Sequence, residues 1–322
     1  MIVFRTDASQ ETGFGHIKRS TMLASLLKNK NKILFCIGKD KVAGRFLNEK
    51  NIPFCRMKQL PEKEITSIIF DLRHFSEADT QLIKRCRAGN KKTIQITDLG
   101  LSQQEVDFTI DCSLEPLFPF PTDRRLLSGP DYTILHNKFR HFNKLERKYR
   151  KGIRNVFIAL GGGIDYKRLR GMVDLLSRHR YKLKIAPGFY LKPSAVKTLR
   201  RIYPGIRFVG ATDNLARSLF EADAAVIAPG ITAYEAAAVG TPALYFYYHD
   251  EQKATALSLE NRGAGLVIAN IDDLLGAGKQ VIEKMQMLPV EKRIEMGARG
   301  KQLVDARGAY RIIEFFEQEK II

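Results

Sequence analysis

Apolar runs of four to six residues recur along the chain. Most are followed by a stretch in which apolar residues return every three or four positions. The first pattern is that of a buried strand and the second that of an amphipathic helix. In the first half this predicts strands at 2–5, 32–37, 66–71, 93–97 and 108–111, with helices at 16–28, 41–49 and 77–88. A Pro-rich loop, LFPFPTDRR, continues the same half. The pattern restarts after the basic run KFRHFNKLERKYRKGIR, where the strand NVFIALGGG ends in three glycines. Helices at 166–179, 194–202, 214–221 and 232–239 then alternate with strands at 182–186, 207–209, 224–228 and 243–247, and 255–263, 271–287, 289–305 and 309–320 read mostly as helix. Strands separated by helices imply βαβ units and parallel sheets. The expectation is an α/β chain of two Rossmann-like domains facing across a cleft, 1–150 and 151–322, with the tail helix 309–320 packing back on the first.

Charge changes the picture next. Lys and Arg number 53 against 35 Asp and Glu, a net +18. Such a surplus suits nucleic acid, an anionic membrane surface or an anionic small substrate. The cations are spread over both halves and no RNA-binding module is visible, so nucleic acid is not the expected partner. The densest run, 138–154, reads as a solvated, linker-like helix. If the charge serves an anionic substrate, Arg5, Lys18, Arg19 and Arg73 are the cations placed to meet it. No apolar run approaches the roughly 18–20 residues that span a bilayer, so stable membrane insertion is not expected. Cys36, Cys55, Cys86 and Cys112 lie far apart with no CxxC pair, so neither a zinc site nor disulfides are expected. The strand-like MIVF at the front makes a leader unexpected. These features predict a cytoplasmic protein with no metal and no cofactor.

Ligands of open α/β sheets collect beyond the carboxyl ends of the strands. The loop holding Gly13 and Gly15 falls there, before a helix whose first turn carries His16. Glycines let backbone approach a ligand, and a helix start favours a neutral imidazole, which can accept a proton. Asp7, just past the first strand, is the candidate to orient the ring. The alternative for His16 is a capping or packing role. In the second half, Gly230, Ile231 and Thr232 open a helix after a buried strand, a candidate diphosphate site. Glu235, one turn on, can bond a ribose diol or merely complement the helix dipole. Gly162 and Gly163 give a second close backbone approach, or form a plain turn with Asp165 as N-cap.

The two-half layout, the triple glycine and PGITAYEAAAVGTPAL together resemble GT-B nucleotide-sugar enzymes of the MurG type. FRTDASQETGFGHIKR at the front resembles the nucleotide-sugar hydrolases of pseudaminic acid synthesis (PseG) and the related spore-coat polysaccharide proteins (SpsG). The likeness extends through IFDLRHFSEADTQLIK, TDLG, GPDYTILHNKF, DEQKATA and LVDARGAYRI. It implies metal-independent hydrolysis of a UDP-linked di-N-acetylated deoxysugar with inversion, His16 being the catalytic base and the nucleotide lying in the second domain. Asp71, Arg73, Asp98, His136, Glu251 and Gln252 fall in these motifs as substrate contacts. The chain departs from the hydrolase pattern at Arg73 (aromatic there), His136 (arginine), Glu251 (asparagine) and Pro229 (a small hydroxyl residue). Those departures leave the acceptor open. A carbohydrate hydroxyl in place of water makes the same scaffold an inverting glycosyltransferase, and a third alternative is a non-catalytic nucleotide-sugar binding protein.

Overall fold

The structure is a computed structural model that describes residues 1–9, 13–98, 104–115, 125–210, 214–273, 276 and 278–322. Most of the Pro-rich loop and the end of TDLG lie outside the described residues. In chain order the elements are β1 (Ile2–Thr6), α1 (Gly15–Leu27), β2 (Ile33–Ile37), α2 (Lys41–Glu49), β3 (Phe54–Cys55), β4 (Ser67–Asp71), α3 (Glu77–Ala88), β5 (Lys92–Thr97), β6 (Phe108–Asp111), β7 (Arg125–Ser128) and α4 (Asn137–Lys144). Then follow β8 (Asn155–Ala159), α5 (Tyr166–Ser177), β9 (Lys182–Ile185), α6 (Pro193–Ile202), β10 (Arg207–Phe208), α7 (Leu215–Glu221), β11 (Ala224–Ile227), α8 (Ile231–Ala238), β12 (Ala243–Tyr247), α9 (Asp250–Asn261), β13 (Leu266–Asn270), α10 (Gly278–Gln286), α11 (Val290–Leu303) and α12 (Gly308–Gln318).

These elements form two compact units, Met1–His136 with Arg307–Ile322, and Asn137–Ala306. The first holds a seven-stranded parallel sheet ordered β3-β2-β1-β4-β5-β6-β7, the second a six-stranded parallel sheet ordered β10-β9-β8-β11-β12-β13. In each sheet the chain starts in the middle, winds outward one way, and returns to wind the other. The order therefore reverses between β1 and β4, and again between β8 and β11. A crevice opens beyond the strand ends at such a reversal.

Both sheets are buried on two faces, which is why their strands read as continuous apolar runs rather than alternating ones. In the first unit, Val3, Ile68 and Phe70 share a core with Leu82, Ile83 and Cys86 of α3. The opposite face meets α1 and α12: Phe108 stacks edge-on with Phe315 at 5.4 Å, and the Ser67 hydroxyl donates to the carbonyl of Ile321 at 2.7 Å. Gly308 lets α12 start against the turn at Tyr132–Thr133, where a Cβ would lie 2.3 Å from the Thr133 carbonyl oxygen.

Three strands escape the sequence pattern. β3 has two residues, β7 follows the Pro-rich loop, and β13 is a half-buried edge strand wedged between helices. Helix α9 starts at Asp250 rather than 255, with Asp250 and Glu251 complementing its first turn. The larger correction concerns the basic run. Residues 137–150, expected in the first domain, belong to the second unit, and they are not a solvated linker. The Asn143 amide donates to the Ala238 carbonyl at 2.8 Å, Arg147 donates to the carbonyls of Val239 and Ala222 and to the Thr241 hydroxyl, and the Tyr149 hydroxyl donates to the Gly240 carbonyl. Helix ends leave carbonyls without intrahelical partners, and this strap supplies donors to the end of α8. Arg147 also lies over the rings of Tyr149 and Phe220.

Arg147→Ala should therefore destabilise the second unit by about 1–3 kcal/mol, the cost of stranding buried acceptors. The adjacent exposed Lys148→Ala should change stability by less than about 0.5 kcal/mol. Urea unfolding followed by circular dichroism measures both, and equal midpoints for the two variants would refute the strap.

Candidate active site

The reversal of strand order in the first unit places the ends of β1 and β4 side by side under the start of α1. Gly13 makes the approach to that helix. It bridges back to Ser9, its N–H donating to the Ser9 carbonyl at 2.8 Å, and its φ of 75° suits glycine. His16 follows as the second residue of α1, and no side chain caps that helix start. Because α1 turns every 3.6 residues, His16, Arg19 and Ser20 share one face. All three reach Asp71, the last residue of β4.

Asp71 is wholly buried and fully engaged. His16 Nδ1 lies 2.6 Å from its Oδ1, Arg19 approaches both oxygens at 2.6–3.1 Å, and the Ser20 hydroxyl donates to Oδ2 at 2.9 Å. Arg19 continues to Asp98, just past β5, at 2.7 Å. Burial alone pushes the Asp71 carboxyl up, but the Arg19 guanidinium and the His16 imidazole outweigh it and hold the group at about 2. Burial works against the Arg19 charge too, and Asp71 and Asp98 more than restore it, raising its pKa well above the ordinary value. At Nδ1 the shorter contact is to the ionised Asp71 carboxylate, 2.6 Å against 3.0 Å to Arg19 Nη2, which itself donates to Asp71; this favours the tautomer with the proton on Nδ1 and the Nε2 lone pair as the basic site.

Several expected roles change. Asp7 does not orient His16: its Oδ1 accepts the Gly38 N–H at 3.0 Å, and Arg5 lies 3.5 Å from its Oδ2. The packing is close, since a Cβ on Gly38 would fall 2.5 Å from the Asp7 carboxylate. Asp71, not Asp7, is the carboxylate on the His16 ring, and it is wholly buried, against its expected place among the substrate contacts. Arg5 and Arg19 are not cations facing a ligand either. Arg5 is bound to buried Asp79 at 2.6 Å, and Arg19 is spent on Asp71 and Asp98. Lys18 and Arg73 are half-buried, Asp98 is one-third exposed, and Gly15 is an ordinary first residue of α1. His136 is exposed at the end of the first unit's main segment, beyond the sheet.

In the second unit, Gly161 has a φ of 89° and Gly162 and Gly163 follow it, with Asp165 capping α5 by accepting the Arg168 N–H at 2.9 Å. The loop after β9 closes on this turn. The Tyr190 N–H donates to the Gly162 carbonyl, and a Cβ on Gly188 would lie 2.8 Å from the carbonyls of Gly161 and Gly162. Across the strand reversal, Gly230 is the N-cap of α8, with no side chain capping it and no atom within 4 Å of where its Cβ would be. Ile231 and Thr232 are half-buried in the first turn, and Glu235 is buried one turn deeper in an otherwise alanine-rich helix. Gln252 serves the fold, its Oε1 accepting the Tyr248 N–H at 3.0 Å, and Glu251 lies beside it in the first turn of α9.

Sequence reasoning passed over Asp79, Ser20, Gly38 and Gly188. The first two had readable signals. Ser76-x-x-Asp79 is a helix-start box that the structure forms, and Ser20 stands four residues after His16.

With this geometry in place, comparison with known proteins is decisive for the architecture. The chain is 28% identical to the spore coat polysaccharide biosynthesis protein SpsG of Bacillus subtilis (strain 168), across 97% of this chain and 98% of that protein. Among solved structures it resembles Acinetobacter baumannii MurG with a TM-score of 0.63 at 14% identity, covering 98% of this chain and 99% of MurG. The fold is GT-B. The spinosyn rhamnosyltransferase SpnG, solved with thymidine diphosphate, aligns equally completely, over 98% and 100% of the two chains, with a TM-score of 0.62 at 11% identity. No family model matches the chain. The SpsG likeness expected from the front stretch is thus found over the whole length, on a GT-B fold. Among the described residues, no helix is long and apolar enough to cross a membrane.

The Asp71 site makes a pH prediction. Its carboxyl sits below its ordinary value of 3.8 in the folded chain, so the stability it gives is complete above about pH 4 and disappears as pH falls through about 2. Asp71→Asn leaves Arg19 buried against one carboxylate fewer and should cost about 3–5 kcal/mol at neutral pH. Thermal melts between pH 2 and 5 should fall more steeply for the native chain than for Asp71→Asn. Parallel profiles would refute the ionised, buried carboxylate.

Proposed function

We propose that the chain is an enzyme that transfers a glycosyl group from a nucleoside-diphosphate sugar to a hydroxyl acceptor in polysaccharide biosynthesis. The observation that carries this reading is the His16–Asp71 pair at the strand reversal of a GT-B fold. The fold's solved neighbours include a rhamnosyltransferase complexed with a nucleoside diphosphate, and the full-length relative is named for spore-coat polysaccharide.

In this reading each unit supplies one part of the chemistry. His16 Nε2 takes the proton of the attacking hydroxyl as its oxygen bonds to the anomeric carbon. The bond from that carbon to the diphosphate oxygen breaks, and the nucleoside diphosphate leaves with the electron pair. Attack opposite the leaving group inverts the centre. Asp71 holds the imidazole in register and stabilises the imidazolium that forms, and Arg19 keeps Asp71 ionised. In the second unit, the uncapped start of α8 at Gly230–Thr232 receives the diphosphate, stabilising the charge that develops on it. Glu235 receives the ribose hydroxyls. Gly162 and Gly163 allow backbone to approach the nucleotide.

Hydrolysis is the second reading. The front stretch from Phe4 to Arg19, which resembles nucleotide-sugar hydrolases, favours it. Water then replaces the carbohydrate hydroxyl at His16 and the rest is unchanged.

A panel of UDP-, TDP-, GDP- and CMP-sugars, assayed for nucleotide release with and without sugar acceptors, separates the readings. Release that requires an acceptor supports transfer; release into water alone supports hydrolysis. Nucleotide binding with no turnover under any condition would leave a binding protein and overturn both. His16→Asn should lower kcat by about 10²–10⁴-fold with nucleotide affinity near native. Glu235→Ala should weaken nucleotide binding by about 1–3 kcal/mol, measured by calorimetry. Unchanged affinity would remove Glu235 from the nucleotide site.

A further inference from the structure

The positive charge is not concentrated where the proposed chemistry is. The first unit's Arg5 and Arg19 are internally neutralised. Across Asn137–Ala306 the chain has 29 Lys and Arg against 16 Asp and Glu, so this unit holds +13 of the net +18. Within it, residues 175–212 contain nine Lys and Arg and no acidic residue.

The topology gathers six of these nine cations on one rim. In a parallel βαβ sheet every helix returns the chain to the amino-terminal ends of the strands. The turn from α5 into β9 carries exposed Arg178, Arg180 and Lys182, and the turn from α6 into β10 carries exposed Arg200, Arg201 and Arg207. β9 and β10 are hydrogen-bonded neighbours with Lys184 opposite Arg207, and the Arg200 guanidinium lies over the ring of Phe208 at 5.4 Å. The neighbouring carboxylates are already bonded. Asp174 accepts the Tyr203 hydroxyl, Glu221 holds Lys184 and Arg217, and Asp223 is buried beneath Arg150 and the Arg154 N–H. Ile202, among the few exposed large apolar side chains, stands at the end of α6 directly between Arg201 and the half-buried Tyr203.

We infer that this rim of the second unit docks on the anionic headgroup surface of a lipid bilayer. A one-signed array of Lys and Arg is attracted to such a surface, each cation adding to the affinity within a Debye length. The exposed isoleucine beside the arginines adds the apolar contact that interfacial binding uses. Nucleic acid fits less well, because single strands need exposed aromatic faces to stack on and the rim tyrosines are half-buried. A second copy of this basic chain would be repelled. The rim lies at the opposite end of the sheet from Gly162 and Gly230, so docking leaves the proposed nucleotide end open. The inference stands independently of which acceptor the enzyme uses.

The test is co-sedimentation of the full chain with vesicles of phosphatidylcholine, with and without phosphatidylglycerol. Binding should require the anionic lipid and should fall as salt is raised. The triple variant Arg200→Glu, Arg201→Glu, Arg207→Glu should lose at least about tenfold in partitioning, in line with the loss of several surface cations. Ile202→Ser should weaken binding without changing its salt dependence. A matched variant in the first unit, Lys28→Glu, Lys41→Glu, Arg45→Glu, should bind nearly as the native chain does. Melting temperatures confirm that each variant is folded. Equal binding to neutral vesicles, equal losses in both triple variants, or tighter binding to single-stranded nucleic acid than to anionic vesicles at the same salt would each overturn the inference.

Discussion

The first unit is organised around one buried carboxylate. Asp71 ends a central strand, has no access to water, and is kept ionised by a guanidinium that is itself buried. An uncompensated charge there would cost several kcal/mol, so the surroundings are fixed by the need to satisfy it. That need aligns α1, because His16, Arg19 and Ser20 must all face β4 at once. It also ties the loop after β5 to the cluster through Asp98. A buried ion pair is weak evidence of net stability, since desolvation consumes much of the attraction. Its strength is geometric: few other arrangements of these side chains leave every charge paired. The imidazole inherits that definition of position.

The same economy explains the basic composition. A cation has three uses in this chain, and they are separated in space. Arg5 and Arg19 neutralise buried carboxylates in the first unit. Arg147 and Arg293 act as multi-donor staples in the second, Arg293 being wholly buried and donating to the carbonyls of Leu288, Arg150 and Lys151. Planar guanidinium groups suit such work because they offer several donors in fixed directions. What remains is surface charge, densest along one rim of the second sheet. A net charge read from composition cannot distinguish these uses, although they have opposite consequences for what the protein binds.

Much of the architecture was legible because βαβ units announce themselves through the alternation of short apolar runs and helical periodicity. Helices α2 and α3 and strands β6 and β12 have the bounds the pattern predicts. β3, β7 and β13 escape the pattern for a shared reason: all three lie at sheet edges, where burial imposes less pattern, and β7 also begins at the end of a Pro-rich loop. In the basic run, charge density suggests solvation, whereas arginine can bury its stem and still satisfy its head on carbonyls. In the candidate site, the loop and His16 were readable from glycine spacing. The identity of the carboxylate was not. Asp7 is nine residues from His16 and Asp71 is 55 away, yet β1–β4 pairing brings the distant one to the ring and turns the near one toward Gly38. Sequence separation favours the local partner; sheet topology decides otherwise.

The two units use one topology for different electrostatic ends. At the strand reversal of the first, Asp7, Asp71 and Asp98 stand at the ends of β1, β4 and β5. A diphosphate brought there would meet the ionised, buried Asp71 with two further carboxyls beside it, and α1 would offer its amides next to an imidazole already bound to Asp71. At the reversal of the second, β8 runs into Leu160 and Gly161, and β11 into Ala228, Pro229 and Gly230, with no carboxylate at either strand end. The start of α8 also has no capping side chain to compete for its amides. Anion binding at a helix start depends on the absence of competing negative charge as much as on the dipole itself. That asymmetry favours reading the second unit as the holder of the phosphates and the first as the place of proton transfer. On that reading, with no pyrophosphate to admit, the second position of α1 has room for a histidine where a phosphate-binding loop would keep a glycine.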